Sequence, residues 1–380
     1  MPTFHCAFGE FQLDRFPLRR NEQLQPFDAA DALILKHLAS LKNITKENTG
    51  GKNILVINDH FGALSTALTY AGYPVEAWND SVTQHQAISH NCRSHQLRPP
   101  RLTPSTEPPV NAPQIVILRP PKSLAMLELQ LAVLRQQLRT QPIVIAGAMA
   151  KYIKRSEIDL IERSIGPTVT SHAEKKARLI LPTWDMTLNP PSPPSPNTFS
   201  VPELELTLHN HANVFARKRL DIGARFMLSQ FTQLPDAQHI IDLGCGNGVL
   251  GIMAKRQQPN ATIQFVDESY MAIESAKENY QKNGGDVANV EFIVNDCLDG
   301  VAPQSTDLIL CNPPFHQDNV QNTAIAHTMF RQSKAALKNA GQLWVVANRH
   351  LPYYPMLKTL FRAVKTLGAH RKFTVYQCMQ

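Results

Sequence analysis

No stretch of the chain approaches the ~18 consecutive apolar residues of a membrane-spanning helix. The N-terminus lacks the basic-then-apolar pattern of a secretory signal. Cysteine is scarce, with residues at 6, 92, 245, 297, 311 and 378 only. No two are spaced as C-x-x-C, so neither a zinc knuckle nor a redox pair is indicated. His209 and His211 flank Asn210 with no carboxylate or cysteine nearby in sequence, so no metal site is expected. These absences predict a soluble, cytoplasmic protein, free of membrane and metal; a monomer is the default expectation.

What is present divides in two. A chain of 380 residues with 43% hydrophobic content can build two ordinary cores. The stretch 189–197, N-P-P-S-P-P-S-P-N, reads as a semi-rigid linker. The expected domains are 1–186 and 201–380, joined by a Pro-rich linker at 187–200. The net charge is +7, with 21 Lys and Arg against 16 Asp and Glu in residues 1–200, and 17 against 15 in the remainder. A basic excess concentrated in the first half suits either a polyanionic partner or a merely solvated surface.

The most informative stretch is 240–251, I-I-D-L-G-C-G-N-G-V-L-G. An apolar run ends in an acid, glycines follow, and a helical pattern begins. A strand entering a helix through a glycine turn makes an anion or nucleotide site. Gly246, Gly248 and Gly251 spell G-x-G-x-x-G, which dehydrogenases share and which a tight turn alone can explain. The frame D-x-G-x-G-x-G is also similar to the S-adenosylmethionine (SAM) loop of class I methyltransferases. A second apolar run, 263–267, ends in Asp267, 25 residues after Asp242, the spacing of a strand-end acid for ribose hydroxyls. Dehydrogenases have that acid too. They do not have Asn312-Pro313-Pro314-Phe315, which follows the apolar run 307–311 and resembles the N-P-P-[FYW] signature of methyltransferases acting on planar amino groups.

The first half repeats the second. Residues 54–65 match 240–251 at an offset of 186, 77–81 match 265–269 at 188, 117–121 match 310–314 at 193, and 143–146 match 344–347 at 201. In the first copy Val56 replaces Asp242, Asn58 replaces Gly244, His60 replaces Gly246, Asn79 replaces Asp267 and Arg119 replaces Asn312. Helices are expected at 28–41, 123–138 and 323–337, a strand at 203–208, and little regularity in 1–25 or the proline-rich 99–113. Residues 151–176 carry a candidate basic face. Further strands at 290–296, 307–311, 342–347 and 372–377 complete a mostly parallel α/β sheet with helices on both faces.

With D-L-G-C-G-N-G, V-D-E-S, C-N-P-P-F-H and V-A-N-R-H-L, the chain resembles the tandem-domain ribosomal RNA guanine-N2 methyltransferases. I-L-V-I-N-D-x-F-G-A-L-S and A-E-K-K-A-R-L-I resemble the large-subunit (23S) member, and the 16S member shares the architecture. The resemblance implies two class I, Rossmann-like SAM-methyltransferase domains, the first degenerate. It implies SAM as cofactor and ribosomal RNA, of the large subunit or its precursor, as partner. It carries the cofactor site to Asp242, Gly244, Cys245, Gly246, Asn247, Gly248, Asp267, Glu268 and Asp296, with Asp221, Gly223 and Arg225 closing over it. Catalysis falls to Asn312, Pro313, Pro314 and Phe315. The Asn312 and Pro313 carbonyls accept the two N–H bonds of the target amine, and Phe315 stacks on the base. N-P-P-[FY] also serves DNA adenine and glutamine-side-chain methyltransferases, which remain alternatives alongside a non-catalytic RNA-binding assembly factor.

Overall fold

The structure is a computed structural model. It describes residues 3–19, 22–41, 52–189, 192–286, 288–314 and 320–380, without the side chains of 320–322. The chain divides into two units, Met1–Ser195 and Pro196–Gln380.

The first unit runs β1 (Thr3–Cys6), β2 (Gly9–Gln12), α1 (Ala29–Ser40), β3 (Ile54–Ile57), α2 (Ala63–Tyr70), β4 (Val75–Asn79), α3 (Val82–Ser94), β5 (Arg101–Pro104), β6 (Ile115–Leu118), α4 (Leu124–Gln137), β7 (Ile143–Met149), α5 (Arg155–Ile165), β8 (Thr168–Thr170) and β9 (Ala177–Pro182). Its main sheet has the order β5-β4-β3-β6-β7-β9-β8. Pairing is parallel from β5 to β7, and β9 is antiparallel to both β7 and β8. The central strand β3, I-L-V-I, is buried throughout, as a parallel strand covered on both faces must be. Its side chains alternate between two cores, Ile54 and Val56 in one, Leu55 and Ile57 in the other.

The second unit runs β10 (Asn197–Val201), β11 (Leu206–Asn210), α6 (Ile222–Leu228), β12 (His239–Leu243), α7 (Val249–Gln257), β13 (Thr262–Asp267), α8 (Tyr270–Lys282), β14 (Val290–Val294), β15 (Thr306–Cys311), α9 (Val320–Ala336), β16 (Leu337–Asn348), α10 (Tyr353–Leu360), β17 (Ala363–Ala369) and β18 (Phe373–Met379). The sheet order β14-β13-β12-β15-β16-β18-β17 repeats that of the first unit strand for strand. Local chemistry is repeated too. Ser81 and Ser269 cap α3 and α8 through the same hydroxyl-to-backbone bond. Asn91 donates to the Phe61 carbonyl, and Asn279 to that of Asn247.

Several expectations need correction. Leu118 pairs with Ala146 while Cys311 pairs with Val345, so β7 and β16 correspond at an offset of 199 rather than 201. A shift of two keeps every side chain on its face, so alternation alone cannot detect it. The segment 1–25 contains the β1–β2 hairpin, whereas 99–113 is mostly loop, as its prolines require, with only the short edge strand β5. Residues 197–200 of the expected linker form most of β10, which pairs with β11. Within the strand expected at 203–208, Pro202–Leu204 is a 3₁₀ turn and Glu205 is left-handed, so β11 begins only at Leu206. No helix among the described residues is long and apolar enough to cross a membrane.

Candidate active site

β12 and β15 lie side by side, with Leu243 opposite Cys311. The glycine turn and Asn312 therefore leave the sheet from adjacent strand ends, ~4.8 Å apart. β13 borders β12 on its other side and delivers Asp267 to the same edge. This carboxyl edge of a parallel sheet is where such folds bind ligands.

Gly244 and Cys245 both donate backbone N–H bonds to the Val266 carbonyl, at 2.8 and 3.1 Å. Gly246 N donates to Asp267 Oδ2 at 3.0 Å, and Ser269 N donates to Oδ1 at 3.0 Å. Asp267 thus fixes the glycine turn as well as the start of α8. Gly248, at φ +80°, caps α7; a Cβ there would stand 2.9 Å from Ala276 Cβ. Gly246, at φ +55°, is different, because a Cβ there would meet nothing within 4 Å among the described residues. Space is therefore open in front of the turn.

Asp242 is buried beneath it. Its Oδ2 accepts from Gly251 N at 2.8 Å, and its Oδ1 has no partner among the described residues. Burial, reinforced by the charge of Asp267 and opposed by the Gly251 N–H, pushes its carboxyl up to about 8. Burial also pushes the Cys245 thiol well above its usual value, with Asp267 and Asp242 adding to the shift. A thiol so disfavoured as thiolate is packing rather than a nucleophile. Asn247 is occupied locally: its Oδ1 accepts from Val249 N and its carbonyl from Asn279. Asp296 follows β14, whose end is tied to β13 by Asn295 N to the Asp267 carbonyl, 2.9 Å. The charges of Asp296 and Glu268 add to burial in raising the Cys297 thiol, so both acids flank this side of the edge.

Asp221 is the N-cap of α6 and accepts from Ala224 N at 2.9 Å. The same oxygen accepts from Asn312 Nδ2 at 3.0 Å, and Asn312 Oδ1 is buried without a partner among the described residues. Gly223 is buried in the first turn of α6, whereas Arg225 is exposed and pairs with Glu203. Pro313 is buried and Pro314 exposed. Phe315 lies outside the described residues. Tyr353, which carries no motif and had no signal in the sequence, donates its hydroxyl to the Pro314 carbonyl at 3.3 Å. His209 and His211 gather around Glu278, at 4.0 and 3.1 Å, so a carboxylate does stand beside them in space. Among the described residues, no group of three His, Cys, Asp or Glu is arranged to hold a metal.

In the first unit the corresponding space is filled. Asn58 keeps a positive φ of 61°, close to the 70° of Gly244, but adds a side chain. That side chain donates to the Arg119 carbonyl and exchanges bonds with Gln130. Asn79 turns inward to the Asp59 carbonyl. The Arg119 guanidinium binds both oxygens of Asp28, at 3.0 and 2.7 Å, and Asp31 at 3.1 Å.

The open space at Gly246, the unpartnered oxygen of Asp242 and the strand-end acid Asp267 suit a ligand carrying a cation and hydroxyl groups, as SAM does. Two family models match the chain, the RLMG N-terminal domain over residues 1–187 and the methyltransferase small domain over 205–377. The chain is 42% identical to a ribosomal RNA large subunit methyltransferase G of Ectopseudomonas mendocina, covering 99% of both. It is 40% identical to the protein of that name from Klebsiella pneumoniae, covering 96% of this chain and 95% of that one. A solved T. thermophilus 16S rRNA N2 methyltransferase, in complex with AdoMet and guanosine, has the same fold. It matches at a TM-score of 0.78 and 19% identity, over 100% of this chain and 97% of that one.

Proposed function

The chain belongs to the ribosomal RNA large subunit methyltransferase G family, and on that premise we infer that it methylates the exocyclic N2 amine of a guanine in 23S rRNA, with SAM as methyl donor. The observation that carries the reading to the residues is Asn312 Oδ1, a buried acceptor without a partner among the described residues, beside an open glycine turn. A buried unpaired carbonyl is costly unless a ligand donor completes it.

When bound, SAM supplies an electrophilic methyl group on a sulfonium. Asp242 and the turn Gly244–Gly248 would hold its amino-acid end, Asp267 and Glu268 its ribose, and Asp296 its adenine. The amine of guanine is a poor nucleophile because its lone pair is conjugated with the ring. Asn312 Oδ1 and the Pro313 carbonyl accept its two N–H bonds and so aim the lone pair out of the plane. Such orientation supplies several kcal/mol toward the barrier. The base must leave its stack to reach these acceptors. No strong general base is required, since the proton departs after the amine has become cationic.

We assign RNA recognition to the first unit, which keeps its sheet while its own side chains fill the cofactor space. Lys151, Lys154, Lys175, Lys176 and Arg178 are exposed there, and the Ala150 N–H to Lys176 carbonyl bond, 2.7 Å, brings two of these segments together. Phosphate contacts from such residues anchor RNA without reading its sequence. Six free cysteines agree with a reducing cytoplasm.

Mapping N2-methylguanine in the rRNA of cells lacking the gene tests the assignment. One 23S position loses its modification, and re-expression restores it. Loss confined to 16S rRNA, or no loss in either, overturns it.

A further inference from the structure

We propose that Asp221 is a positioning residue for the reaction: its carboxylate fixes the Asn312 amide in the one orientation that turns Oδ1 toward the target amine. The inference rests on the methyl-transfer reading above and adds a residue that acts through Asn312.

An asparagine amide can sit in its site in two orientations related by half a turn. One offers the carbonyl to an incoming N–H; the other meets it with a second N–H donor and repels it. A carboxylate only accepts hydrogen bonds. Asp221 Oδ2, at 3.0 Å from Asn312 Nδ2, therefore excludes the second orientation, because that would press oxygen against oxygen. Asp221 is itself immobilised, since the same oxygen accepts the Ala224 N–H at the start of α6. The amide is held on its nitrogen side, and its oxygen is buried without a partner among the described residues. Helix capping alone would not require this, because Ser, Thr or Asn caps a helix about as well.

The first unit supplies an independent observation. Asp28 stands 193 residues before Asp221, and Arg119 stands 193 before Asn312. Asp28 caps α1 as Asp221 caps α6, and it binds the Arg119 guanidinium through two bonds. The bond from the cap acid to the strand-end donor is thus present in both copies, although the donor has changed. Arginine has only donors to present. In the second unit the donor is an amide, so one side can be anchored while the other stays available as an acceptor.

The test uses the full chain, with single-turnover methyl transfer from labelled SAM to 23S rRNA of cells lacking the enzyme. SAM affinity is measured by calorimetry and stability by thermal unfolding. Asp221→Ser keeps a cap but cannot hold the amide. It slows transfer at saturating SAM roughly 10- to 100-fold, the scale of a misplaced reacting group, a loss larger than any in SAM affinity. Asp221→Asn, which retains an acceptor oxygen for both donors, recovers most of the rate. Adding Asp221→Ser to Asn312→Ala slows transfer no further, because the two act as one unit. Should the Ser variant fail to fold, Asp221→Gly carries the same expectation. Weakened SAM binding with transfer unchanged at saturating SAM would overturn the proposal. So would losses that multiply in the double variant. A wild-type chain that transferred no methyl group to rRNA would instead overturn the function, and this inference with it.

Discussion

Asp242 Oδ2 accepts the Gly251 N–H at 2.8 Å while its second oxygen is buried without a partner among the described residues, and burial raises its carboxyl to about 8 in the free protein. Its folded value of about 8 lies above the unfolded range near ~3.9. The folded state therefore holds this proton longer. Its contribution to stability is complete below about pH 4 and is lost as pH rises toward 8. A bound ammonium reverses the preference, because it needs the carboxylate. SAM affinity should accordingly climb with pH from 6 to 8, by up to about tenfold per unit, with proton release on binding. Calorimetry in buffers of different ionisation enthalpy measures both effects. Asp242→Asn should abolish the proton release, and an affinity flat across this range would remove Asp242 from the cofactor site.

Asp267 joins the two halves of the cofactor edge, accepting from both Gly246 N and Ser269 N. Asp267→Ala releases the glycine turn and, on the proposed assignment, removes the acceptor for ribose hydroxyls. SAM binding should weaken by ~1.5–3 kcal/mol, the value of hydrogen bonds to a charged group. Unchanged affinity in a titration would be incompatible with this assignment.

The opposite pattern is expected for Asn312→Ala. On the proposed assignment of Asn312 to the target amine, turnover should fall by roughly 100-fold or more with SAM affinity near wild type. Single-turnover transfer separates the two quantities, and a near-wild-type rate would exclude the role.

Much of this edge was legible in the chain because its physics is local. Strands buried on both faces need largely apolar runs such as I-I-D-L and L-I-L-C, and the left-handed turn at Gly244, Gly246 and Gly248 favours glycine. What the sequence does not show is non-local or short. The Asp221–Asn312 bond spans 91 residues, and Tyr353 reaches Pro314 from 39 residues downstream. The β10–β11 hairpin was hidden because Pro202 interrupts the alternation in a short two-stranded piece. In the first unit, Asn58 was recognised as a lost glycine, but its bonds to Gln130 and the Arg119 carbonyl exist only in three dimensions.

The repeated helix-capping glycines provide a matched pair of stability probes. A Cβ on Gly62 would meet Ile88 Cα at 2.9 Å, and one on Gly248 would meet Ala276 Cβ at 2.9 Å, both at positive φ. Either alanine should cost more than the ~1–2 kcal/mol of a left-handed residue, since close contacts must shift as well. Each kcal/mol corresponds to roughly 2–4 °C in Tm. Gly62→Ala should lower Tm yet leave SAM affinity intact, whereas Gly248→Ala should lower both. Equal losses of affinity in the two variants would contradict a cofactor site confined to the second unit.

The final prediction separates recognition from chemistry. A fragment must begin at Pro196 rather than near Val201, because β10 pairs along its whole length with β11 and Val201 is part of the unit's core. From Pro196 to Gln380 the chain retains a full seven-stranded sheet and every residue assigned to SAM and to the target amine. It should fold and bind SAM as the intact chain does. It should bind and methylate 23S rRNA poorly, since the exposed lysines and arginines of residues 151–178 are absent. Binding of the intact chain should fall steeply with salt, as counterion release requires of a protein anchored on phosphates. The fragment should show a shallower slope. Methylation by the fragment as efficient as by the full chain would mean that the first unit is not the RNA reader.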